Sequence, residues 1–128
     1  MTSFPAILGG VVAVLQSHPL CEHAAIVEAK EFSADQFFFK IRAELRHGYQ
    51  FQVRIYYNFG HEDYAYQLFK EDAPILRWDN KEEFRNLKTY PHHHHTDGGN
   101  VLSSPLMGNP QEDIALVLRA IEEYLQKQ

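Results

Sequence analysis

Four consecutive imidazoles, His92 to His95, stand between a proline and a glycine-rich turn in the stretch YPHHHHTDGG. Most of the chain precedes the run and a helix-like segment follows it, so it reads as native and not as a terminal tag. Imidazole titrates near pH 6.5, so at neutral pH one ring can accept a proton while a neighbour donates one. Adjacent cations lower one another's pKa, which keeps one ring neutral and basic. Cleavage of an RNA phosphodiester by its own 2′-hydroxyl needs a base, an acid and a cation near the phosphate, and histidines beside a basic surface would supply all three. In an extended segment His92 and His94 share one side and His93 and His95 the other. Two imidazoles on one side are half of a zinc site, which Asp79, Asp97 or His61 could complete, although no spacing demands it. No native cofactor is expected, and adventitious nickel or zinc is expected at His92, His93, His94 and His95, as at any exposed imidazole cluster. The bland alternative is a polar surface loop without chemistry.

A basic surface is legible elsewhere. The chain of 128 residues carries a net charge of -5, which argues weakly against a nucleic-acid partner. Between Gln36 and Asn58, however, Lys40, Arg42, Arg46 and Arg54 face a single carboxylate, Glu44, giving a local +3. QFFFKIRAELR alternates Phe37, Phe39, Ile41, Ala43 and Leu45 against Phe38, Lys40, Arg42 and Glu44. YQFQVRIYYN places Tyr49, Phe51, Val53, Ile55 and Tyr57 opposite Gln50, Gln52, Arg54 and Tyr56. Both have the period of strands. A two-residue loop at His47-Gly48 would put odd positions opposite even ones and bury a polar face, whereas a three-residue loop with left-handed Gly48 keeps the apolar faces together. That register sets Lys40 opposite Arg54, Phe38 opposite Tyr56 and Arg42 opposite Gln52. Cations directly across a ladder cost up to about 1 kcal/mol, which an anionic partner would offset. Lys40, Arg42, Arg54 and Tyr56 are therefore candidates for holding phosphate and base, with Phe38 as a further stacking surface. The competing expectation is a solvated face whose charges splay apart.

These strands need a frame. The length and the 45% apolar content fit one domain, residues 1–128, able to bury a core without staples. Pro5, Ile7, Leu8, Val11, Val14 and Leu15 predict an N-terminal helix, and Ile114, Val117, Leu118, Ile121 and Leu125 after Asn109-Pro110 predict a closing one. Strands at Glu22–Phe32, Asp63–Lys70 and Pro74–Asp79 join the hairpin in an antiparallel meander of about five. NKEEFRNLK, residues 80–88, predicts a short helix with Asn80 as its cap and Glu83 reaching back, followed by a His-rich loop. The fold class is α+β, the last helix packed on the sheet's apolar face. Lone Cys21 excludes an internal disulfide and suits a reducing cytoplasm; without an adjacent base it is a poor nucleophile. The stretch AILGGVVAVLQ lacks a preceding basic residue and is too short for a bilayer, so a cytoplasmic protein without membrane attachment is expected.

RWDN at residues 77–80 and YPHHHHTDG at 90–98 are similar to the arginine-aromatic-Asp-Asn and Phe-Pro-His-His-Lys-His motifs of the TumE family, small toxins of toxin-antitoxin pairs. The likeness spans roughly residues 22–98 and is most specific in Pro-His-His-x-His. It matches Asp79 and Asn80 to the family's Asp-Asn pair, Pro91 to its proline, and His92, His93 and His95 to its three histidines. His94 stands where relatives often have lysine, and KEEF stands where many have a further Pro-His-His. The resemblance implies a toxin neutralised by a helix-turn-helix antitoxin, with RNA as target by analogy to other small toxins. Together with the residues it leads to a metal-independent ribonuclease, with His92, His93 and His95 as acid-base groups and Asp79 orienting one of them within hydrogen-bond reach. The alternatives are a non-enzymatic RNA- or protein-binding module and a zinc-dependent hydrolase; a homodimer is compatible with each.

Overall fold

A computed structural model describes residues 3–128. Helix α1, Phe4–Ser17, opens at Ser3, whose hydroxyl accepts from the Ala6 amide at 3.2 Å. Then come β1 (Cys21–Ser33), β2 (Gln36–Leu45), a turn at Arg46–Gly48, β3 (Tyr49–Asn58), β4 (His61–Lys70), β5 (Ala73–Asp79), β6 (His93–His95), β7 (Val101–Ser103) and α2 (Pro110–Gln126). The strands form one antiparallel sheet in chain order, β1 to β7. Both helices lie on one face, against a core that includes Val11, Leu15, Phe39, Phe51, Tyr66, Trp78, Ile114 and Leu118. The other face carries no helix, and at its far end the turns of residues 80–92 bring Phe84 against it.

The expected register holds. Lys40 pairs with Arg54, Phe38 with Tyr56 and Arg42 with Gln52, and Phe37, Phe39, Ile41, Ala43 and Leu45 are all buried. Gly48 is left-handed (φ 79°) as the three-residue connection requires, and His47 beside it joins it at φ 66°.

Two expectations fail at the far end. The sheet has seven strands, not five, because the histidine run does not stay a loop: His93–His95 add to the free edge of β5, and Val101–Ser103 return beside them. The short helix expected at residues 80–88 does not form, and the segment runs in successive turns. Its intended cap is committed elsewhere. The Asn80 side chain accepts from the Tyr64 amide at 3.0 Å and donates to the Glu62 carbonyl at 2.6 Å, extending the ladder beside β4 instead of serving Glu83. Helix α2 does start at Pro110, but Asn109 makes no side-chain cap bond; buried Asp113 instead accepts the Met107 and Gly108 amides at 3.1 and 2.8 Å.

Candidate active site on the open face of the sheet

Pairing carries the site residues across the sheet in rows. One row reads Lys40, Arg54, Ala65, Asp79, His93, each opposite the next on the adjacent strand. The neighbouring row reads Arg42, Gln52, Gln67, Arg77, His95. Strand alternation puts both rows on the helix-free face, so cations from β2 and β3 and histidines from β6 share one surface. At about 4.8 Å per strand, Arg54 and His93 stand three spacings, roughly 14 Å, apart. Between them Ala65 contributes only a methyl group, and a groove of about 450 Å³ opens there, lined by Phe38, Arg54, Tyr56, Asp63, Arg77, Asp79 and Lys81 among others.

Asp79 is the centre of the far end. Its side chain is almost wholly buried, and its oxygens accept two hydrogen bonds and stand beside two imidazoles. Arg77, two residues earlier on the same strand face, brings Nε to within 2.5 Å of Oδ2, and the Lys81 amide donates to Oδ1 at 3.0 Å. His93 Nε2 lies 2.8 Å from Oδ1 and His95 Nε2 lies 3.6 Å from Oδ2. The expected approach of a histidine to Asp79 is therefore present, alongside the backbone contact of the rival cap arrangement. The His93 contact is close but not a hydrogen bond: Nε2 is out of line with the oxygen and has no hydrogen-bond partner. His93 is anchored from its other nitrogen, with Nδ1 donating to the Pro91 carbonyl at 3.0 Å. Phe84 meets the edges of His93 and His95 at 4.8 and 5.9 Å, which holds the two rings from the turn segment.

The four histidines divide. His93 is 1% exposed and cannot meet a large substrate directly, whereas a third of the His95 side chain is open. Burial pulls the His95 pKa below its ordinary value, which leaves the ring neutral at neutral pH. His92 and His94 turn toward the helices. His92 stacks on Tyr64 at 5.8 Å and shares a 2.7 Å hydrogen bond between Nδ1 and the phenol, and burial lowers its pKa while raising that of Tyr64. His94 stacks on Trp78 at 4.4 Å, and its Nδ1 donates to the Arg77 carbonyl at 3.2 Å. The structure thus joins His93, His95 and Asp79 and places His92 outside their cluster. Thr89 fixes the entry to this strand, its hydroxyl donating to the His92 carbonyl at 2.7 Å and accepting the Ser104 amide at 3.0 Å.

The arginines of the cationic end are held differently. Arg42 is held by Gln52 (3.2 Å), Asp72 (3.7 Å) and the Phe69 ring (5.1 Å), whereas Arg54 is exposed. The Tyr56 hydroxyl accepts from Gln36 Nε2 at 2.7 Å. Arg77 and Lys81 were not singled out from sequence, although Arg77 shares a strand face with Asp79 by simple alternation. Cys21 is on no part of this surface's chemistry: burial pushes its thiol up to about 11.

The family model for Toxin TumE matches residues 11–125. The chain belongs to the TumE family. The matched span takes in the second half of α1, the whole sheet and all but the last residue of α2, so the cluster lies inside the TumE domain. A toxin-like role follows at that level, and with it an antitoxin as the expected partner. No curated protein and no solved structure matches the chain. Among the described residues no helix is long and apolar enough to cross a membrane.

Proposed function

We propose that this TumE-family chain acts on RNA, gripping the backbone along the open sheet face and cleaving it without metal at the Asp79–His95 end of the groove. The observation that carries this is the shared face: a track spanning three strand spacings, roughly 14 Å and about two extended nucleotides, leads from exposed Arg54 to the strand that carries His93 and, in the next row, neutral His95. Arg54, Lys40 and Arg42 neutralise phosphates, and Tyr56 and Phe38 offer ring faces to unpaired bases. His95 takes the proton from the 2′-hydroxyl as that oxygen attacks the adjacent phosphorus, forming a 2′,3′-cyclic phosphate, and the 5′-oxygen whose bond to phosphorus breaks leaves with a proton taken from water. His93 and Asp79 are positioning residues, setting the orientation and charge around His95, and Arg77 stands where it can meet the phosphate. His92, held on Tyr64 beneath the sheet, has no part in this step. The antitoxin is proposed to be a helix-turn-helix protein on the strength of the motif resemblance.

The test is inducible expression in a bacterium of the wild type beside His95→Ala, at matched protein level, followed by cleavage of single-stranded RNA by the purified chains. Growth arrest and cleavage by the wild type alone are expected. RNA retained but never cut would favour the binding module instead, and equal growth of both strains would remove the histidine-based toxin.

A further inference from the structure

Asp79, His93 and His95 each offer one potential ligand atom, all within 4.8 Å of one another, the only such trio among the described residues. We propose that they form a binding site for one divalent transition metal of the zinc class, with its remaining coordination positions toward the groove. The inference starts from the tautomer of His93. The Pro91 carbonyl can only accept, so the hydrogen on this ring sits on Nδ1. Metal-binding imidazoles take this arrangement, one N–H on a backbone carbonyl and the other nitrogen's lone pair aimed at the ion. That second nitrogen is the buried Nε2 without a hydrogen-bond partner. It faces a carboxylate oxygen at 2.8 Å, an arrangement that repels unless a proton or a cation lies between the two.

The spacing leaves room for an ion. With bonds of about 2.0 to 2.1 Å, ligand atoms on a tetrahedral zinc stand roughly 3.3 Å apart; His93 Nε2 is 2.8 Å from Oδ1 of Asp79 and His95 Nε2 is 3.6 Å from Oδ2, so each imidazole stands near that separation from one oxygen of the shared carboxylate. The ligands are also held in place. Arg77 and the Lys81 amide orient the carboxylate, and Phe84 packs on the edges of both rings. Two histidines and one carboxylate leave part of the coordination sphere open, as in sites whose metal meets a substrate and unlike closed structural ones. One consequence rests on the acid-base function proposed above. A metal on His95 Nε2 occupies the nitrogen that would carry the proton, so zinc and the metal-free reaction compete for one site.

The test uses the chain without a polyhistidine tag, stripped with a chelator and exchanged into metal-free buffer. Titration calorimetry with zinc chloride should show one tight site per chain. Cobalt(II) should give the visible d–d absorption of a nitrogen- and oxygen-bound ion, displaced by zinc. Affinity should fall about 100-fold or more in Asp79→Asn and in His95→Ala, with folding checked by circular dichroism. It should be unchanged in His61→Ala, which disrupts the exposed His61–Asp63 pair. Weak binding at several sites, or binding indifferent to the first two variants, would overturn the metal site. RNA cleavage separates the two proposals. Inhibition by zinc that chelation reverses supports both, while stimulation by zinc keeps the metal site and overturns the metal-free reaction. Cleavage without any tight zinc binding overturns the metal site alone.

Discussion

His92 and His94 lie on the helix side of the sheet and His93 and His95 on the helix-free side, although the four residues are chemically identical neighbours. The first pair is stacked, ring over ring, on Tyr64 and Trp78, and each ring spends Nδ1 on a structural hydrogen bond. The second pair is edge-on, at 4.9 Å from one another, with both Nε2 atoms turned to one carboxyl group. What separates them is only the period of a strand: addition of the run to β5 assigned structure to one pair and chemistry to the other.

The contrast breaks most severely at Asp79. Asp79→Ala leaves the Arg77 guanidinium, a third exposed, and the Lys81 amide without their partner, and a loss of about 2 to 3 kcal/mol in denaturant unfolding is expected. His95→Ala should do the reverse, leaving stability within about 0.5 kcal/mol while lowering cleavage by about 10² to 10⁴-fold. His94→Ala sharpens the comparison from the covered side. It removes the Trp78 stack and the bond to the Arg77 carbonyl, costing about 1 to 2 kcal/mol of stability with cleavage and zinc binding retained. Arg54→Glu should weaken RNA retention roughly tenfold at low salt and make the salt dependence shallower by about 1 to 2 in log–log slope. Unchanged retention would separate the basic end of the groove from the histidine end.

The pH effects take two signs. Burial lowers the pKa of His92, His94 and His95, so the unfolded chain binds protons more readily than the folded one just below pH 6.5. Stability from these groups is present above that pH and is lost on acidification. Glu62 has the opposite sign. Burial first, then Asp113 and Asp63, pushes its carboxyl up to about 8, so the folded chain holds the extra proton and stability falls as pH rises from about 4.5 toward 8. Thermal melts of Glu62→Gln should lose the alkaline decline and keep the acid one, whereas His94→Ala should flatten the acid side.

The central hairpin was legible in the sequence to the level of individual pairs, since two uninterrupted alternating runs admit only one register that buries both apolar faces. Asp79 and its partners were legible in part. Alternation separates His93 and His95 from His92 and His94, but nothing in residues 80–92 announces that the run will pair with β5 and not pass it as a loop. The missing helix has a similar origin: Asn80 carries the composition of a cap, and only the proximity of β4 shows that Glu62 and Tyr64 claim its amide. Arg77 and Ala65 escaped notice because one is a charge on an exposed-looking strand position and the other matters through the side chain it lacks.

The chain-order sheet, in which each strand pairs only with its predecessor and successor, has a consequence for synthesis. Such a sheet can be laid down hairpin by hairpin as the polypeptide emerges, with the local pairing that favours early folding. The basic platform of β2 and β3 is then complete long before the ribosome reaches His93. A nascent or prematurely terminated chain can carry the grip without the cluster, and the complete site forms only when one of the last two strands docks.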